Sequence, residues 1–178
     1  MKEVKIFARA GQGAITTAAI LGEALFYEGL YAYAFPHFGA ARMGAPMNAF
    51  LRFDRNPVRT RSQIYEPDYV IVIDPTLLHT EDCFKGLKEN GLAIVAIREG
   101  IKIPSSKVKL ITLEAEKIAQ EIIGRPFSNT VLLGAFSKAT GEVKLESILK
   151  AVEKRFIEKP EVLKKNLEAV KKGYEVVS

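Results

Sequence analysis

An apolar run, Val4-Lys5-Ile6-Phe7, leads into Ala8-Arg9-Ala10-Gly11-Gln12-Gly13 and out into an apolar-periodic stretch from Ala14 to Tyr27. That order predicts strand, glycine turn, helix. It narrows the fold to those in which a sheet strand hands the chain to a covering helix. Such a turn points backbone N–H groups and the positive end of a helix dipole toward anything negative that approaches. A tight turn whose glycines serve only close packing is the other reading of the same residues.

The remainder continues the alternation. Gly29 ends the first helix, and Tyr31 to Phe35 reads as a second strand stopped by Pro36, giving an opening βαβ unit. Met47–Phe53 and Val58–Ser62 look extended around the turn chemistry of Asp54-Arg55-Asn56-Pro57, which predicts a hairpin bringing Arg52, Arg59 and Arg61 together. Tyr69–Ile73 and Leu92–Ile97 are unbroken apolar runs, the pattern of strands buried on both faces of a parallel sheet, and a helix is expected between them from Asp82 to Asn90. Lys109–Leu113 follows as an edge strand. Helices are then expected over Ala115–Ile123, Asn129–Thr140, Leu145–Phe156 and Pro160 to about Tyr174. The expectation is one α/β domain over residues 1–178: a Rossmann-like three-layer arrangement with a mostly parallel sheet, a β-hairpin insertion and a helical C-terminal end.

Composition excludes several functions. Cys83 is the sole cysteine, so this chain alone builds no internal disulfide, iron–sulfur cluster or thiolate zinc site, and a reducing cytoplasm is the expected compartment. No apolar run approaches the ~20 residues of a membrane span. The net charge of +5 is concentrated: between His37 and Tyr65 stand Arg42, Arg52, Arg55, Arg59 and Arg61 against Asp54 alone. That segment contains no lysine, and arginine's planar fork suits carboxylate, phosphate or interface contacts. The Lys/Glu-rich tail from Lys144 reads as solvated amphipathic helices.

No catalytic set and no metal site emerge. A dinucleotide fingerprint needs a third glycine where Thr16 stands and an acid where strand two ends in Phe35-Pro36. His37 and His79 are far apart, without a carboxylate cluster at ligand spacing. His37 is expected in a loop after strand two. Cys83 reads as an ordinary semi-buried residue rather than a nucleophile, and Asp74 as a strand-end carboxylate able to cap the next turn. The glycine-punctuated aromatic loop Phe35–Pro46, with Arg42, is the type of segment that binds something.

Four motifs in order give the chain a family resemblance. Arg9-Ala10-Gly11-Gln12-Gly13-Ala14; Ala34-Phe35-Pro36-His37-Phe38-Gly39 with Arg42-Met43-Gly44-Ala45-Pro46; Arg61-Ser62-Gln63-Ile64-Tyr65-Glu66-Pro67-Asp68 through Asp74-Pro75-Thr76-Leu77-Leu78; and Asn129–Ala135 with Asn166–Tyr174 resemble the gamma subunit of 2-oxoacid:ferredoxin oxidoreductases. The family often has glycines where Ala8 and Ala10 stand and a second basic residue in place of Met43. The resemblance implies one subunit of an enzyme converting a 2-oxoacid, coenzyme A and oxidised ferredoxin into acyl-CoA, carbon dioxide and reduced ferredoxin. Pyruvate is the expected substrate, with the 2-oxoisovalerate or 2-oxoglutarate versions as alternatives. Thiamine diphosphate and iron–sulfur clusters are then expected on alpha-, beta- and delta-type partners, with ferredoxin reached through the complex and no nucleic acid or membrane involved. Arg9, Gly11, Gln12, Gly13 and Arg42 are the expected contacts to coenzyme A or to a partner subunit. A free-standing nucleotide-binding or regulatory module is the alternative of another class, since fold alone does not fix function.

Overall fold

The computed structural model describes residues 1–38 and 42–178. Six strands form one sheet: β1 (Lys2–Arg9), β2 (Tyr31–Phe38), β3 (Pro46–Asp54), β4 (Tyr69–Val72), β5 (Leu92–Ala96) and β6 (Lys109–Leu113), in the spatial order β2-β3-β1-β4-β5-β6. The β1–β4, β4–β5 and β5–β6 pairs are parallel, while β3 runs antiparallel to both β1 and β2. The register aligns Ile6, Ile71, Ile94 and Ile111 in one row across the parallel strands. The first three are fully buried and lie under the helices.

Helix α1 (Ala14–Tyr27) buries Ala14, Thr17, Ala18, Leu21, Ala24 and Leu25, a stripe at helical spacing that covers β1, β2 and β3. Helices α2 (Ala115–Ile123), α3 (Asn129–Thr140), α4 (Leu145–Phe156) and α5 (Pro160–Glu175) complete that layer, with bounds close to those the sequence predicts. Helix α3 is central: its run from Asn129 to Ser137 is wholly buried. It crosses α5 at backbone contact, because a Cβ on Gly134 would lie 1.9 Å from the Val170 carbonyl oxygen and one on Gly173 would lie 1.9 Å from that of Val131. Thr130 Oγ1 donates to Asn166 Oδ1 at 2.9 Å across the same crossing. Two separate parts of the C-terminal motif are thus two sides of one contact.

The opposite face carries Phe7, Val70, Val72, Ala93 and Val95, covered by a 3-10 helix (Pro75–His79) and the turns after it through Leu77, Leu78, Cys83, Phe84 and Leu87. The helix expected over Asp82–Asn90 does not form. Gly86 has a φ of 77°, and the Tyr65 carbonyl oxygen lies 2.0 Å from where its Cβ would stand, so tertiary packing replaces helix with successive turns.

Two further expectations are corrected near the sheet edge. Pro36 does not stop β2, which continues to Phe38, because the strand is at the edge of the sheet and needs no outward N–H there. His37 is therefore on a strand, with Gln63 Nε2 3.0 Å from its Nδ1, and not in a loop. Gly39, within the expected loop, lies outside the described residues. The hairpin expected between 47–53 and 58–62 does not form; β3 instead pairs antiparallel with β2 and β1 and lies between them, so the opening βαβ unit is split.

Residues 58–62 are not a strand because a side chain takes their backbone groups. Arg52 is 2% exposed; its Nε donates to Glu3 Oε1 at 2.7 Å, Nη1 to the Ser62 carbonyl at 2.6 Å and Nη2 to the Gln63 carbonyl at 3.2 Å. One guanidinium thereby pins a strap of irregular chain over the sheet. Arg52 faces inward while Arg59 and Arg61 stay exposed, so the three do not cluster as expected.

Replacing Arg52 by methionine strands Glu3 and several carbonyls, and should lower unfolding free energy by about 3–5 kcal/mol in denaturant melts. Trypsin should then cleave the native-state strap at Arg55, Arg59 or Arg61. Gly134→Ala should cost about 3 kcal/mol or more through overpacking of the α3–α5 contact, read by the same melts.

Candidate anion cleft at the first strand-to-helix turn

The turn between β1 and α1 is shaped by Asp74 at the end of the central strand. Asp74 Oδ2 accepts from Gln12 Nε2 at 2.6 Å and lies 3.4 Å from Arg9 Nε; Oδ1 accepts from the Thr76 backbone N–H at 2.9 Å and the Thr76 hydroxyl at 2.6 Å. It therefore caps the 3-10 helix while holding the glycine turn. Gln12 Oε1 accepts from the Arg9 backbone N–H at 2.7 Å, and the Arg9 guanidinium donates to Thr76 Oγ1 and the Gly44 carbonyl. Burial alone raises the Asp74 carboxyl, but hydrogen bonds from Thr76 and Gln12, with the Arg9 charge, leave it below its ordinary value.

These contacts turn Arg9 and the Gln12 amide toward Asp74. Gly11 and Gly13 have φ angles of 99° and 87°, a left-handed conformation that any side chain would strain. Met43, 87% exposed, lies over Gly11, its Sδ 2.8 Å from where a Cβ would be. Arg42 is exposed on the same loop and does not line the cleft described next.

Gly11, Gln12, Gly13 and Thr16 form one wall of a cleft of about 720 Å³ on the helical side of the sheet. The other walls come from α3, the ends of α2 and α4, and the start of α5. They include Phe127, Asn129 and Phe156, with Arg125, Arg155 and Lys165, against the single acid Glu161. Two helix N-termini meet here. Gly13 caps α1 and Ser128 caps α3, neither through a side-chain hydrogen bond, so first-turn N–H groups of both helices lack a side-chain acceptor. The absence of a Gly13 side chain lets Asn129 close in, with its Nδ2 3.0 Å from where that Cβ would be.

The Ser128 hydroxyl, 1% exposed, has no hydrogen-bond partner among the described residues, and Asn129, 8% exposed, follows it at the cleft wall. An unpaired hydroxyl at that depth calls for a partner from outside.

Arg125, Arg155, Lys165 and Asn129 were not legible as site residues from sequence. Arg155 and Lys165 belong to helices whose Lys/Glu patterning reads as a solvated face, Arg125 stands in the short link between α2 and α3, and Asn129 stood only inside a C-terminal motif. Cys83 is 2% exposed and packed among the apolar side chains of the opposite face, where burial first, then the Glu81 charge, push its thiol up to about 12.

A split βαβ sheet whose first turn opens into a cation-lined cleft beside two helix N-termini defines a Rossmann-like α/β protein with a candidate site at that turn. Residues 3–176 match the family model described as pyruvate ferredoxin/flavodoxin oxidoreductase. The common gamma subunit of pyruvate/ketoisovalerate oxidoreductases from Thermococcus litoralis is 47% identical over 180 residues, 98% of this chain and 96% of that one. Pyruvate synthase subunit PorC from Methanosarcina barkeri is 50% identical over 155 residues, 85% of each chain. The crystal structure of pyruvate oxidoreductase subunit PORC from Thermotoga maritima is similar at a TM-score of 0.84 and 38% identity, covering 98% of this chain and 95% of that one. The chain belongs to the pyruvate ferredoxin/flavodoxin oxidoreductase family, as a gamma subunit of its multisubunit 2-oxoacid:ferredoxin oxidoreductases.

The depressed Asp74 carboxyl contributes stability that is fully present above the unfolded value near ~3.9 and is lost as pH falls through the lower folded value. Asp74→Asn should therefore lower the melting temperature at neutral pH. It should also make the decline in melting temperature below about pH 4 shallower than in the parent chain, as read by thermal scans across pH.

Proposed function

We propose that the whole chain acts as one gamma-type domain whose cleft receives the anionic nucleotide end of coenzyme A, in an enzyme that acts on pyruvate. The observation that carries the reading is the meeting of the α1 and α3 N-termini, neither capped by a side chain, at a cleft lined by Arg125, Arg155 and Lys165. Phosphate oxygens fit there: they accept from exposed first-turn N–H groups and an amide, and they are neutralised by Arg125, Arg155 and Lys165. The aromatic side chains of Phe127 and Phe156 suit a flat base between them and the cations. In this reading Arg155, Lys165 and Asn129 make the contact, Gly11, Gln12 and Gly13 shape the floor, and Arg9 has a supporting role beneath the turn.

The relatives from Thermococcus litoralis and Methanosarcina barkeri, named for pyruvate and ketoisovalerate, favour pyruvate with a branched-chain 2-oxoacid as the runner-up. Iron–sulfur clusters fit this chain poorly, because a cluster needs several thiolates and Cys83 is the only cysteine, and thiamine diphosphate is expected beside them. They are assigned to alpha-, beta- and delta-type partners, through which ferredoxin takes the electrons. A reducing cytoplasm suits such clusters, and no helix among the described residues is long and apolar enough to cross a membrane.

In the reconstituted enzyme, Arg155→Ala and Lys165→Ala should each raise the Michaelis constant for coenzyme A roughly tenfold, one decade being about 1.4 kcal/mol. The constant for the 2-oxoacid should not move. Unchanged values for coenzyme A in a fully assembled enzyme would refute the ligand role.

A further inference from the structure

The arginine strap lies on the other face of the sheet, away from the cleft, and the coenzyme A reading makes no use of it. Of the nine arginines in the chain five fall between His37 and Tyr65, whereas none of its seventeen lysines does, so the segment is not simply part of a solubilising surface. Arg55, Arg59 and Arg61 are exposed, and none is paired with a carboxylate among the described residues. The nearest acid in sequence, Asp54, is taken by the amino terminus.

The strap and its Arg61 side chain are held in place. Buried Arg52 fixes the carbonyls of Ser62 and Gln63, the Arg61 guanidinium lies 3.8 Å from the centre of the Tyr33 ring, and it donates to the Val58 carbonyl at 2.8 Å. Tyr65, 72% exposed, stands at the end of the same strap. Arginines beside the half-buried Tyr33 and the exposed Tyr65, with lysine excluded, are the composition of a protein interface. Three guanidiniums on a short, irregular strap present no continuous track for a phosphate backbone.

We propose that the strap is a docking surface for a carboxylate-rich face of a partner subunit, with Arg59 and Arg61 as its paired anchors. Neighbouring strand β2 does not offer a competing β-augmentation edge along its whole length, because Pro36 lacks an N–H to donate. Contact is therefore through side chains, and affinity depends on charge.

The test uses the full chain and its separately purified partner-subunit assembly. Binding of the parent chain should weaken as salt rises. The double variant Arg59→Glu/Arg61→Glu should bind roughly tenfold to a hundredfold more weakly with a flatter salt dependence. A control of equal charge change, Lys144→Glu/Lys150→Glu on α4 and its cap, should not. In a second arm, Arg59→Lys keeps the charge but offers an amine, and carbodiimide treatment of the assembled complex should join it to an aspartate or glutamate of a partner subunit. Unchanged affinity and salt dependence in the double variant would overturn the proposal. So would cross-links confined to this chain, or binding of a uridine RNA oligomer that the double variant loses while assembly is retained.

Discussion

The Asp74 carboxylate is the interaction on which the rest of this molecule depends. It stands where the central strand ends, and from there it caps the following 3-10 helix through Thr76, holds Gln12, and balances Arg9. Two chain reversals more than sixty residues apart are thereby fixed to each other. Without that hold the Gly11–Gly13 turn would have only its own backbone to define it. The turn in turn sets where α1 begins and how closely Asn129 approaches, so the geometry of the cleft is inherited from a carboxylate buried beneath it.

Legibility from sequence followed the range of the interactions concerned. The bounds of α2, α3 and α4 and the β6 range match the expected ones, because periodicity, glycine stops and short length are local signals. Long-range contacts defeated the same reasoning elsewhere. Val58–Ser62 has strand composition, yet Arg52 supplies its carbonyls with donors and removes the need for a ladder. Asp82–Asn90 has helical composition, yet the approach of Tyr65 to Gly86 forbids the regular path. Pro36 reads as a stop only until the strand is known to be an edge.

The cleft divides in the same way. Its floor, Gly11 to Gly13, announces itself through the strand–turn–helix pattern. Its walls assemble from α2, α3, α4 and α5, and no spacing rule joins Arg125, Arg155 and Lys165 before the helices pack. The C-terminal motifs became intelligible only as a contact: Gly134 and Gly173 permit α3 and α5 to touch at backbone distance, and that contact places Asn129 at the cleft. The proposed work divides between the two faces of the sheet, small-molecule reception under the helices and subunit contact over the strap.

Hydrogen–deuterium exchange of the assembled enzyme, with and without coenzyme A, addresses the central claim most directly. The account predicts slowed exchange at the first-turn amides of α1 and α3, around Ala14 to Thr17 and Asn129 to Leu132, with the strap from Arg55 to Tyr65 unaffected by the ligand. Saturating coenzyme A that leaves both helix N-termini unprotected would contradict it.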